Sequence, residues 1–321
     1  MRPTTARTKR MAWAAYCAAL LALLAVAMRR LDVVRLAVAL HTVRGSWIAL
    51  ATLCYASLVP LWSQQWHMLA PASPRNTFGR MFGVVAVTST TLNTTVLLFG
   101  EATGVLLLVT RVGLERSAAL SVLAMDQLLV GIAKLAVLLT ATWLLPIPAW
   151  MARGMTGLAV GVGALLVAVL IGAWHFDAIA QRAGAYFPTR AVSALHTMGV
   201  ALAPLRSPSL VGSALALAFV KKGAELCAIL CVQQAFGVAL PVSASILILA
   251  ALGIATMLPL APANLGVYEG VVAVVYARFG VPAEQAVGMA IIQHASYLAA
   301  VALPGYAWLA RSDPARKASA A

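Results

Sequence analysis

Acidic side chains are scarce: nine Asp and Glu stand against 23 Lys and Arg in 321 residues, and charged residues of either sign make up only 10% of the chain. A soluble globular domain carries roughly 25% charged residues, so water is excluded as the main solvent of this chain. Cysteine is also rare. Cys17, Cys54, Cys227 and Cys231 all fall inside apolar segments, the last two one helical turn apart, so neither a disulfide framework nor a metal site follows. The five histidines show no H-E-x-x-H spacing, so no catalytic zinc and no other cofactor is expected. The chain lacks a paired nucleophile and base, a metal cluster and a nucleotide motif, and it reads as a protein other than an enzyme. Nor is there an aromatic-interleaved basic stripe, so the net charge of +14 does not point to nucleic acid. Arg and Lys sit in short loops, where such cations flank transmembrane helices, set orientation and meet anionic lipid at the cytoplasmic surface.

What the chain has in abundance is apolar sequence, 62% of its residues. Apolar runs of about 18 or more residues recur, the length a helix needs to cross a hydrocarbon core of roughly 30 Å. The expected fold is all-α, a polytopic transmembrane helix bundle forming one integral membrane domain over residues 1–321. Spanning helices are expected near 11–28, 46–66, 117–145, 154–174, 207–235 and 283–310. Residues 1–10 and 311–321 read as short basic cytoplasmic tails. Ala25-Val26-Ala27 resembles a signal-peptide cleavage site, but the long apolar run and the Arg29-Arg30 flank read as a retained first helix.

Two apolar regions are interrupted. Between 81 and 110 the breaks are Thr88 to Thr91, Asn93 to Thr95 and Gly100-Glu101. Between 243 and 278 they are Pro259, Pro262, Asn264 and Gly266, followed by Glu269. Proline cannot continue a helix and Asn264 is suited to cap a new one, so the second region reads as two half-helices, a broken or re-entrant element rather than one kinked span. Irregular backbone at membrane depth survives only when it is buried in protein or lines a wet cavity. The two regions share an order: interrupted helix, Glu, an R-x-G-[LV] turn (Arg111 to Leu114, Arg278 to Val281), then a polar pair thirteen residues past the Gly, Asp126-Gln127 and Gln293-His294. If each interrupted element enters and leaves on one side, three spanning helices lie between the two elements, so residues 81–145 and 243–310 are expected to form an inverted repeat, with both termini cytoplasmic. Arg29, Arg30, Arg35 and Arg44 break the positive-inside pattern, and Leu31 to Leu40 is expected to lie along the interface.

Acidic groups in a bilayer cost several kcal/mol each and face a partner or water. Glu101 and Glu269 occupy matching positions of the repeat. One reading has both facing a central cavity and binding a cation, a proton or a lipid amine; the other has each satisfying the amides of its own helix N-terminus. The two are compatible. Asn93, Asn264, Gly266 and Asp126 complete the candidate binding residues, with Pro259, Pro262 and Gly100 holding the breaks; Gly266, without a side chain, is also expected to let the half-helices approach closely. Asp126 and Lys134, eight residues apart, differ by roughly 80° around their helix, so they are expected to face neighbouring helices rather than each other. Glu225, with Lys221 and Lys222 one turn before it, reads as a neutralised ion pair, and Gln293 and His294 as buried interhelical hydrogen-bonding groups.

Leu258 to Gly270 resembles the P-x-x-P-G-G-x-G-x-x-E-G signature of the lysylphosphatidylglycerol synthase transmembrane-region family, the flippase-like proteins. Gly100-Glu101, downstream of Asn93, is similar to that family's N-x-x-P-x-x-x-G-E-x-x-R element. The resemblance covers roughly residues 15–310. Its paired glycines are Ala263 and Asn264 here, and its Arg three residues after Glu101 is Gly104. It implies a protein of the cytoplasmic membrane that moves a lipid or lipid-linked head group. The alternatives are a membrane-embedded lipid-modifying transferase, with Glu101 or Glu269 as general base, or a non-catalytic subunit of an envelope-lipid pathway. The soluble aminoacyl-transferase domain of some relatives is not expected in this sequence.

Overall fold

A computed structural model describes residues 32–95, 99–183, 207–257 and 262–312, and every regular element in them is helical. In chain order these are α1 (Val33–His41), α2 (Gly45–Ala56), α3 (Leu58–Leu69), α4 (Phe78–Thr94), α5 (Phe99–Leu107) with a π-helical turn (Leu108–Val112), and α6 (Arg116–Leu144). They continue as α7 (Ala149–Ala183), α8 (Pro208–Ala235), α9 (Val242–Ala255), a 3-10 turn (Pro262–Asn264), α10 (Val267–Arg278) and α11 (Ala283–Ser312). Residues 1–10, the expected helix over 11–28, Pro259 and residues 313–321 of the second tail lie outside the described residues, while Arg311 and Ser312 close α11.

Four stretches are long and apolar enough to cross a membrane: Gly45–Leu69, which joins α2 and α3 across Ser57, Arg116–Leu144, Ala149–Ala168 and Ala283–Ala310. At 28 residues, α8 is about 42 Å long and also suffices by length. It falls short on composition because Lys221, Lys222 and Glu225 sit at its middle, and the packing explains them: all three face a cavity inside the bundle. The chain is a multi-pass membrane protein.

Both interrupted regions are pairs of helices too short to cross alone. α9, with 14 residues, reaches about 21 Å and α10, with 12, about 18 Å, against a core of roughly 30 Å. α9 packs along α10, and α4 packs along α5. The turn at Pro262–Asn264 rests against α4, so the break of the second region meets the first region. Both R-x-G turns place their glycine in the left-handed region, Gly113 at φ 80° and Gly280 at φ 81°. The deepest helix–helix contact joins α4 to α11, where Thr90 Oγ1–H donates to the carbonyl of Ala302 at 2.6 Å.

α1 is capped by Asp32, whose Oδ1 accepts from the amides of Val34 and Arg35 at 2.9 and 3.2 Å. Nine residues, about 14 Å, cannot cross a bilayer. One face packs on α11 through Leu36 while Val34 and Val38 remain exposed, the two-sidedness of a helix lying on a surface.

The break after α9 corrects two expectations. The N-cap of α10 is Gly266, not Asn264: the amide N–H of Gly266 donates to Glu269 Oε2 at 2.7 Å, while the Asn264 side-chain oxygen is buried without a partner among the described residues. Gly266 is also not a close-approach position, since a Cβ there would meet nothing within 4 Å. What demands glycine is its φ of 83°. Ala263 and Asn264, at the positions of the signature's paired glycines, stand in the left-handed region at φ 55° and 52°, a conformation that costs Ala263 more than Asn264. Gly100 is the second residue of α5, and it lets α5 approach Leu92 of α4.

Candidate functional site

The bundle holds a half-open cavity of about 550 Å³ lined by every long element around it. Tyr55 and Trp62 face it from α2 and α3, Asn93 from α4, Glu101 from α5, Asp126 and Lys134 from α6. Lys221, Lys222 and Glu225 come from α8, Asn264 from the break, Tyr268 from α10, and His294 and Tyr297 from α11. Three ammonium and three carboxylate groups thus converge in a protein of which only 10% of the residues are charged. On α8 the spacings 221/225 and 222/225 put all three charges on one face. On α6, Asp126 and Lys134 are far enough apart around the helix to meet different neighbours.

Two of the carboxylates are neutralised. Asp126, 3% exposed, accepts from Trp62 Nε1–H at 3.1 Å and lies 3.8 Å from Lys221 Nζ. The Lys221 ammonium stands 6.0 Å from the Trp62 ring centroid, within cation–π range. Lys222 donates to both oxygens of Glu225 at 2.7 Å. Glu225 is therefore neutralised within its own helix, as its spacing suggests, but by Lys222 alone; Lys221 crosses to α6. That leaves one charge of each sign. Glu101 has a buried carboxylate oxygen with no partner, and Lys134, its stem running past Gly253, has neither hydrogen bond nor ion pair among the described residues.

Glu269 is set behind the wall. Besides capping α10 it accepts from Nδ1–H of His294 at 2.7 Å, and it is His294 that lines the cavity. The His294 ring stacks on Tyr268 with centroids 4.1 Å apart and planes 9° from parallel. Tyr268 in turn accepts from Gln293 Nε2 at 2.8 Å. The polar pair Gln293-His294 therefore holds α10 against α11 and carries the position of Glu269 to the cavity surface.

Of the candidate binding residues, Glu101, Asn93, Asn264 and Asp126 lie on this one wall, whereas Glu269 and Gly266 do not. Pro262 opens the turn that brings Asn264 there. Sequence reasoning placed Lys134 toward a neighbouring helix without counting it as a binding residue, did not single out Trp62, named Tyr268 only within the signature stretch, and treated the lysines of α8 as structural. The signal that finds the lysines is the rule that found Glu101: a charge at mid-membrane depth needs a reason. Nothing comparable marks Trp62 or Tyr268.

A family profile for the lysylphosphatidylglycerol synthase TM region matches residues 13–305. No curated protein and no solved structure matches the chain.

Proposed function

The chain belongs to the lysylphosphatidylglycerol synthase transmembrane-region family, and from that membership and its cavity we propose that it binds a polar lipid head group between its two interrupted regions and carries it across the cytoplasmic membrane. The observation that supports this most is the charge inventory of the cavity: with Asp126–Lys221 and Glu225–Lys222 paired, one carboxylate, Glu101, and one ammonium, Lys134, have no ion-pair partner among the described residues. A phospholipid whose head group bears both a phosphate and an amine complements that remainder, the amine toward Glu101 and the phosphate toward Lys134. Tyr268, His294 and Tyr297 offer stacking surfaces and hydroxyls beside them. Glu269 orients His294 in this scheme, and its effect on transport runs through that ring.

The test is translocation of phosphatidylethanolamine in proteoliposomes, read by an amine reagent that cannot cross the bilayer. Glu101→Gln and Lys134→Met are each expected to slow the initial rate about tenfold or more, the loss of roughly 1.4 kcal/mol of head-group stabilisation, while eluting as the wild type does. Wild-type rates in both variants would sink the proposal. Mass analysis of the recovered lipid is expected to show unchanged head groups, and a new lipid mass would favour a lipid-modifying transferase instead.

The same reading includes an inverted arrangement of the two regions, with both termini cytoplasmic. It rests on the three long helices described between the two interrupted regions, α6, α7 and α8, and on the matched R-x-G turns. In a cysteine-free background, a membrane-impermeant thiol reagent added outside cells is expected to label Pro241→Cys, in the exposed turn before α9, and to miss Arg316→Cys. Labelling with the opposite preference would overturn the orientation.

A further inference from the structure

A second pocket, of about 350 Å³, shares no residue with the central cavity. Its polar wall is three arginines from three separate elements: Arg75 in the loop between α3 and α4, Arg80 in the first turn of α4, and Arg111 in the π-helical turn after α5. No carboxylate lines it, and none of the three arginines makes an ion pair among the described residues. Its remaining lining is almost entirely apolar, with Val84, Leu107 and the Trp308 ring.

The local chain builds this cluster. Gly113 ends the π-helical turn at φ 80° without a side chain, and the stem of Arg75 lies over it, Cδ about where a Cβ would make van der Waals contact at 3.4 Å. Gly83, one turn after Arg80, leaves room for the Trp308 ring of α11 against α4. Three guanidinium groups around one pocket repel one another unless an anion sits between them. Guanidinium forks match phosphate oxygens two at a time. The apolar floor beside them suits an acyl chain, and a tryptophan at the polar edge is the usual anchor at a membrane interface.

We propose that this pocket binds an anionic phospholipid, its phosphate held by Arg75, Arg80 and Arg111 and its acyl chain laid along Val84, Leu107 and Trp308. The site is independent of the transported head group, because that cavity presents charge of both signs and this one a single sign.

The full-length protein in detergent tests it through the shift in Tm on adding phosphatidylglycerol, phosphatidylcholine or inorganic phosphate. Phosphatidylglycerol is expected to raise the Tm of the wild type, and phosphatidylcholine and inorganic phosphate to leave it nearly unchanged. The triple substitution Arg75→Gln, Arg80→Gln, Arg111→Gln is expected to abolish the shift, and the matching triple lysine substitution to retain part of it. Should the triple glutamine protein not purify, Arg80→Gln alone, at an exposed first-turn position, is expected to weaken phosphatidylglycerol binding about tenfold. An equal shift in the glutamine proteins, or with phosphatidylcholine, overturns the arginine site. A full shift with inorganic phosphate alone shows a free-anion site and overturns its assignment to lipid.

Discussion

Asp126→Leu is expected to be the most damaging single substitution in the central cavity, and Lys221→Met in the same molecule is expected to repair most of the damage. The side chains of Asp126 and Lys221 are only 5% and 10% exposed, so each has given up nearly all of its hydration. Removing the carboxylate leaves the Lys221 ammonium in the bundle without an ion-pair partner, beside the Trp62 ring and the Lys222–Glu225 pair, and it leaves the Trp62 N–H without its acceptor. Breaking a buried pair in this way costs about 3–5 kcal/mol, whereas replacing both members by apolar groups of similar size is often neutral. Yield of monodisperse protein and resistance to thermal aggregation should therefore fall sharply in Asp126→Leu and return toward wild type in the double variant. If the single variant is as stable as the parent, or the double is no better than the single, the pair does not hold α6 to α8. A rescued double variant also separates assembly from transport, because the unpaired groups assigned to the head group, Glu101 and Lys134, are untouched.

A comparable loss is expected from Gly305→Val, for reasons of shape. A Cβ at Gly305 would overlap Thr90 Oγ1 and the main-chain carbonyl oxygen of Ala86 on α4. A flexible side chain yields to such an intrusion, but Ala86 is backbone inside a helix, so α11 has to move away bodily. Thr90 then loses its hydrogen bond to Ala302, and Phe82 loses its edge contact with the Trp308 ring. Without a hydrophobic force between helices in lipid, such close van der Waals and hydrogen-bond contact is what holds a bundle together. Overpacking costs about 1–3 kcal/mol even where neighbours can adjust, and more is expected here. Gly157→Val in α7 is the control, since a side chain at that helical position meets nothing within 4 Å. The expected outcome is little extractable Gly305→Val protein beside normal recovery of Gly157→Val. Equal recovery of the two would remove the α4–α11 contact as the keystone of packing.

Hydropathy, proline and glycine were enough to locate the helices, because each property acts on a segment by itself: an apolar run of sufficient length partitions into lipid whatever its neighbours are. Thus the helices at Gly45–Leu69, Arg116–Leu144, Pro208–Ala235 and Ala283–Ser312 follow from the sequence within a few residues, and so do the two interruptions and the family to which the chain belongs. The partners of the charges are another matter. Lys221 stands four residues from Glu225 yet reaches Asp126, 95 positions away in the chain, because the rotation of α8 and the proximity of α6 decide which carboxylate its ammonium meets. Glu101 and Glu269 each follow an interrupted stretch and precede an R-x-G turn, but only Glu101 reaches the cavity, since the capping bond to Gly266 and the bond to His294 hold Glu269 behind the wall. Gly266 carries no sign in its sequence context of whether it serves a close contact or a backbone turn, and only its φ of 83° with open space around it separates the two. Segment properties survive without tertiary structure; a charge's partner and a glycine's reason are relations between helices, and they exist only once the helices have packed.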